Sequence, residues 1–141
     1  MFQTLKIEDV SYGYFASEKL TNGQTISIFF LHDKTLDNID YSVVLAIANK
    51  KKHIREWLLG TRDVLSDKET GRCGIEGLLW AKRMLLAFED HVAKRRERIT
   101  LSIDWTDARR KRVYERGLLP LGYLSGMRKG RKCLYKKLQK T

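Results

Sequence analysis

The chain has 141 residues, 43% of them hydrophobic and 10% aromatic, with a single proline; this composition suits one packed domain and excludes a disordered chain. Lysine and arginine exceed aspartate and glutamate by 28 to 17, and the net +11 is one-sided: residues 1–70 hold 9 basic and 10 acidic side chains, net −1, and residues 71–141 hold 19 and 7, net +12. That field favours a polyanionic partner, such as a phosphorylated cofactor, a nucleic acid or an acidic protein face, while no apolar run reaches the roughly 20 residues of a bilayer span.

The opening MFQTLKIEDV has acidic residues where a secretory leader needs its apolar core. SYGYFAS (Ser11 to Ser17) alternates aromatic and small residues, as a half-exposed strand does. Asn22-Gly23 is a hairpin-type turn. It leads into QTISIFFLHD, where Ile26, Ile28 and Phe30 share one face and β-formers dominate. KTLDNID reads as a polar connection. YSVVLAIAN (Tyr41 to Asn49) is apolar on both faces and predicts a central strand. HIREWLLGTRDVL suits either a helix or a buried strand interrupted by Gly60. A strand is the expectation, because its predecessor would otherwise lack a neighbour.

From Gly74 to about Arg96 the spacing predicts a helix. Leu78, Ala81, Leu85, Phe88 and Val92 recur at intervals of three and four, and Trp80, Met84 and Leu86 widen the apolar face. ITLSIDW is a strand with Ile99, Leu101 and Ile103 on one side. Thr106 or Asp107 can cap a short basic helix, DARRKRVYERG, which stops near Gly117 and Pro120. LPLGYLSGM and KCLYKKL flank the turn RKGR and form a hairpin. The expected fold is one α/β domain over residues 1–141. It has a mixed, mostly antiparallel sheet, one long buried helix, a short basic helix and a C-terminal hairpin.

The long helix is preceded by Gly71-Arg72-Cys73-Gly74-Ile75-Glu76-Gly77. A helix start presents unpaired N–H groups and a partial positive charge, and glycines let backbone approach an anion closely. The run lacks the Gly-Lys-Ser/Thr ending of a phosphate-binding P-loop and the dinucleotide fingerprint. By itself it is equally a flexible connection into a close-packed helix. Cys73 and Cys133 form no disulfide or metal pattern, and His32, His53 and His91 show no ligand spacing, so no metal is expected and a reducing cytoplasm is the default setting.

Over residues 41–138 the order of strand, glycine-rich turn, long helix, strand, short tyrosine-bearing helix and hairpin resembles the GNAT-type N-acetyltransferases. In that family an R/Q-x-x-G-x-G/A turn opens the long helix and holds the pyrophosphate of acetyl-CoA. In GRCGIEGLL, Gly74 takes the place of the first motif glycine, Glu76 that of the final Gly/Ala and Gly71 that of the leading Arg/Gln, with Arg72 one place late. Either the Glu76 carboxylate turns away from the anion or the site has weakened. DARRKRVYERGLLPLGY is similar to the family's N-x-x-A-x-x-x-Y-x-x-x-G-F, keeping Tyr114 but placing Gly117 one residue early.

The resemblance implies transfer of an acetyl or similar acyl group from CoA to an amine. It assigns Gly71, Arg72, Cys73, Gly74, Ile75 and Gly77 to the pyrophosphate, and Arg109 and Arg110 to the 3′-phosphate or an acidic acceptor. Tyr114 is the candidate acid for the departing sulfur; a core-flanking tyrosine is the alternative. Glu56 is a candidate base in the segment before the loop, as is Asp63, and Cys73 reads as a bystander. The family's helices after its first strand have no counterpart here, so the acceptor is left open. A different class is a nucleic-acid-binding module built on AKRRER, ARRKR and MRKGRK with interleaved tyrosines. A third is a GNAT-like scaffold that binds without catalysis.

Overall fold

A computed structural model describes residues 2–7, 10–34, 39–48, 74–94, 98–104, 108–128 and 130–138. In chain order these form β1 (Gln3–Ile7), β2 (Val10–Lys19), β3 (Thr25–Lys34), β4 (Ile39–Ala48), α1 (Gly74–Ala93), β5 (Ile99–Asp104), α2 (Ala108–Leu118), a 3₁₀ turn (Leu119–Leu121), β6 (Leu124–Arg128) and β7 (Arg131–Leu138). The seven strands make one sheet in the order β1-β2-β3-β4-β5-β7-β6. Every neighbouring pair is antiparallel except β4 and β5, which run parallel.

Period-two patterning decides which side chains enter the core. Ile26, Ile28 and Phe30 of β3, Tyr41 and Val43 of β4, Ile99, Leu101 and Ile103 of β5 and Leu134 of β7 are buried together with Trp80, Leu85, Phe88 and Val92 of α1. Phe88 stacks on Phe30 with ring centroids 3.7 Å apart, fixing α1 over the middle of the sheet. Behind the sheet, Phe29, Ala46 and Ala48 form a second, smaller buried cluster with Leu5, Phe15, Leu31 and Val44. A strand apolar on both faces was the expectation for β4, and β4 does contribute to both clusters.

The Asn22-Gly23 turn forms as its residues dictate. Gly23 takes φ +88°, the Asn22 side-chain oxygen accepts from the Gln24 N–H, and the Leu20 N–H donates to the Gln24 carbonyl. The hairpin that closes β6 and β7 turns at Gly130, also with positive φ.

Several sequence expectations change. β1 was not foreseen; it is an edge strand with one neighbour and little alternation in QTLKI. β4 needed no strand from HIREWLLGTRDVL to pair with, since its second neighbour is β5; that segment lies outside the described residues, as do Thr106 and Asp107. The short helix stops where expected, near Gly117 and Pro120: α2 ends at the buried Leu118, and after the 3₁₀ segment the chain turns at Gly122 with φ +95°. Leu86 does not widen the buried face of α1 but faces outward.

Candidate functional site

The parallel pair sets up the site. β4 and β5 are in register only from Ile39↔Ile99 to Ser42↔Ser102. Beyond that rung β4 runs on from Val43 to Ala48 paired with β3, and β5 continues through Ile103 and Asp104 paired with β7. Among the described residues, a ladder that ends while both strands go on leaves a wedge in the middle of the sheet, where the backbone of β4 is no longer paired to β5.

The front of α1 lies at the open end of this wedge. The Glu76 carboxylate accepts from the Thr21 N–H at 2.9 Å and from the Thr21 hydroxyl. Thr21 belongs to the β2–β3 turn, and β3 begins at Thr25 opposite Ala48, the last residue of β4. The helix start is thereby held where β4 ends. These two hydrogen bonds, the hydroxyl's the stronger influence, hold the Glu76 carboxyl below its ordinary range. The carboxylate of Glu76, which the resemblance would set in a phosphate loop, is hydrogen-bonded to the neighbouring turn.

A cavity of about 80 Å³ opens on the helix side of the wedge. Val43 and Leu45 of β4, Ile103 of β5, Leu78, Ala81 and Lys82 of α1, and Tyr114 and Gly117 of α2 are among its walls. α2 brings Tyr114 there because its apolar stripe, Val113, Tyr114 and Leu118, turns towards the sheet while Lys111, Arg112 and Arg116 face solvent. Among the described lining residues Lys82 is the cation and Tyr114 carries a hydroxyl, and the others are apolar, a lining suited to a thin, mostly aliphatic ligand arm.

On the opposite face the wedge meets a polar chamber of about 150 Å³, lined by Asp40, Ser42, Ser102, Asp104, Arg128, Arg131 and Cys133 with Val43 and Val44. Val43 belongs to both cavities, and Ile103 and Asp104, consecutive in β5, line one each. Arg128 pairs with Asp40, and Arg131 with Asp104 at 3.2 Å. Burial pushes the Cys133 thiol above its ordinary value and outweighs the nearby Arg128 charge, which leaves the thiol protonated and unreactive at neutral pH.

A third polar group stands away from the wedge and braces it. Glu89 of α1 accepts from Lys136 of β7 at 2.6 Å and from the Tyr123 hydroxyl at 3.2 Å, and Lys136 also donates to the Leu121 carbonyl. Burial, reinforced by the Glu89 charge, drives the Tyr123 phenol far above its ordinary value. The result ties α1 to the segment linking α2 and β6.

Of the residues singled out from sequence, Tyr114 is placed in the wedge, Gly74 and Ile75 open α1, and Gly77 is buried in its first turn. Arg109 and Arg110 sit in the first turn of α2, with side chains outside the described residues, as are Glu56, Asp63, Gly71, Arg72 and Cys73 altogether. Sequence reasoning missed Thr21, Asp40 and Asp104, and took Arg128 and Arg131 only as part of the basic run MRKGRK. The signal for Asp104 was present: with Ile99, Leu101 and Ile103 on one side of β5, Ser102 and Asp104 had to share the other. Among the described residues no group of three His, Cys, Asp or Glu is arranged to hold a metal, and no helix is long and apolar enough to cross a membrane. No protein-family model matches the chain, and neither curated proteins nor solved structures give a match.

Proposed function

We propose that the protein is an acyl-CoA-dependent N-acyltransferase of GNAT-like fold that moves an acetyl or similar acyl group from CoA to an amine. The observation that carries this reading is the parting of β4 from β5 after Ser42 and Ser102, with the start of α1 at the open end of the gap. In this reading acetyl-CoA is a substrate whose pantetheine arm lies in the wedge. Its amides find partners on the gap-facing edge of β4, as an added strand would, and its aliphatic portion meets Val43, Leu45, Leu78 and Ile103. Its pyrophosphate falls at the head of α1, where Gly74 and the following turn offer N–H groups. The engagement of Glu76 by Thr21 supports the placement, because it turns that carboxylate towards the β2–β3 turn.

Positioning the amine beside the thioester contributes most of the acceleration, and an acid at the sulfur adds a smaller factor. Tyr114, a phenol on the wedge wall, is assigned that acid role. Calorimetric titration with acetyl-CoA tests the reading, together with two variants. Gly74→Asp should abolish binding in a folded protein, and Tyr114→Phe should lower turnover far more than affinity. Salt-sensitive binding of oligonucleotides with no response to acetyl-CoA would replace the enzyme with the binding-module reading.

A further inference from the structure

The acyltransfer reading leaves its acceptor open, and the polar chamber behind the wedge supplies the chemistry to choose one. We infer that this chamber binds a small zwitterion, an α-amino acid or a molecule carrying the same ammonium and carboxylate pair, whose amine is the acyl acceptor. The inference rests on the acyltransfer reading for the ligand's fate, but not for its binding.

Charge balance within the walls is the first argument. Among the described residues the chamber carries two aspartates and two arginines, paired Asp40 with Arg128 and Asp104 with Arg131, in a chain whose net charge is +11. A ligand with only a positive charge would take Asp104 and strand Arg131, and one with only a negative charge would do the reverse. A zwitterion satisfies both: its ammonium meets Asp104 and its carboxylate receives the two-pronged donation that a guanidinium offers.

The pairs differ in how readily they open. Asp40 and Arg128 are 14% and 28% exposed, whereas Asp104 and Arg131 are 44% and 69% exposed. An ion pair that open contributes little in water and yields to a ligand, while the sheltered pair remains as a wall. Ser42 and Ser102, opposite each other on the last rung of the ladder, add hydroxyls to the chamber lining.

Size and position complete the case. A chamber of about 150 Å³ has room for roughly five waters at about 30 Å³ each, the scale of a small metabolite. An ammonium held at Asp104 sits one residue along β5 from Ile103, which lines the helix-side cavity. For transfer, the ammonium first releases one proton to solvent. The nitrogen then bonds to the thioester carbonyl carbon as the carbon–sulfur bond breaks, and a second nitrogen proton reaches the departing thiolate. The products are an amide and the free thiol.

The test uses the full chain and a panel of common α-amino acids, each beside its decarboxylated amine and its N-acetylated acid. Binding is read by calorimetry and ligand-observed NMR without acetyl-CoA, and thiol release is read with it. At least one amino acid should bind about tenfold or more tightly than its two one-charge relatives, and Asp104→Asn or Arg131→Gln should each erase that preference. Both sites are exposed enough for the variants to stay folded, which circular dichroism checks; Ser102→Ala is a milder probe of the same chamber. Three results each overturn the inference: no amino acid binds the folded protein, binding ignores both variants, or the decarboxylated amines bind equally well. Failure of the two readings is separable. A bound amino acid with no acetyl-CoA binding removes the acyltransferase and keeps the chamber as a zwitterion site. Thiol release to plain amines alone keeps the acyltransferase and removes the zwitterion.

Discussion

Glu76 is in the first turn of α1, where a negative charge favours the helix dipole, and its carboxylate accepts from both the N–H and the hydroxyl of Thr21. In the unfolded chain neither partner is held in place, so the group titrates near 4.5 there and lower in the folded protein. A carboxyl whose folded pKa is depressed adds stability above its unfolded pKa and loses it as pH falls through the folded value. The difference in melting temperature between the native protein and Glu76→Ala should be full near about pH 7 and should close as pH drops below 4.5. Thr21→Val should remove most of that pH dependence while leaving the carboxyl in place. A difference that stays constant down to about pH 3 would show that Thr21 does not govern this carboxylate.

At the scale of elements, β2 depends on a glycine that carries no catalytic chemistry. The β1–β2 register skips between Leu5↔Gly13 and Lys6↔Ser11, a bulge at Tyr12, and Gly13 takes φ +133° beside it. A Cβ at Gly13 would overlap the Phe30 carbonyl oxygen, which is backbone and cannot rotate away. Gly13→Ala should therefore cost about 3–4 kcal/mol in denaturant unfolding, since strain and overlap add. Gly23→Ala, at φ +88° but with open space around it, should cost about 1 kcal/mol. Equal costs would mean that the sheet relaxes around Gly13.

Much of the element order could be read from sequence because its signals are local. Alternation marks β3, the absence of alternation marks β4, three-and-four spacing marks α1, and a glycine turn marks the last hairpin. β1 gave little sign of itself, because an edge strand buries few side chains and its register follows from β2. The end of α2 was legible because Gly117 and Pro120 bracket it, and the helix stops between them at Leu118. The wedge could not be read at all. It depends on where one ladder ends, and no residue type at Ser42 or Ser102 encodes that.

For the whole molecule, the proposed acyltransfer requires the parted strands and the α2 that roofs one side of them to act together. Gly117 tests that joint arrangement. It is the second-last residue of α2, lines the helix-side cavity, and an added Cβ there meets nothing within 4 Å. Gly117→Ala should stabilise the protein by about 0.5–1 kcal/mol, because alanine restricts the unfolded chain and favours helix without meeting a wall. Gly117→Leu adds an isobutyl group to a cavity of about 80 Å³. It should keep the fold, with a melting temperature near or above the native one, while acetyl-CoA binding falls below detection in calorimetry. The pair separates stability from occupancy, which removal of a core side chain would confound. If Gly117→Leu is folded and still binds acetyl-CoA with unchanged affinity, the ligand arm does not pass beneath α2. The wedge would then be a feature of the sheet rather than the seat of the substrate.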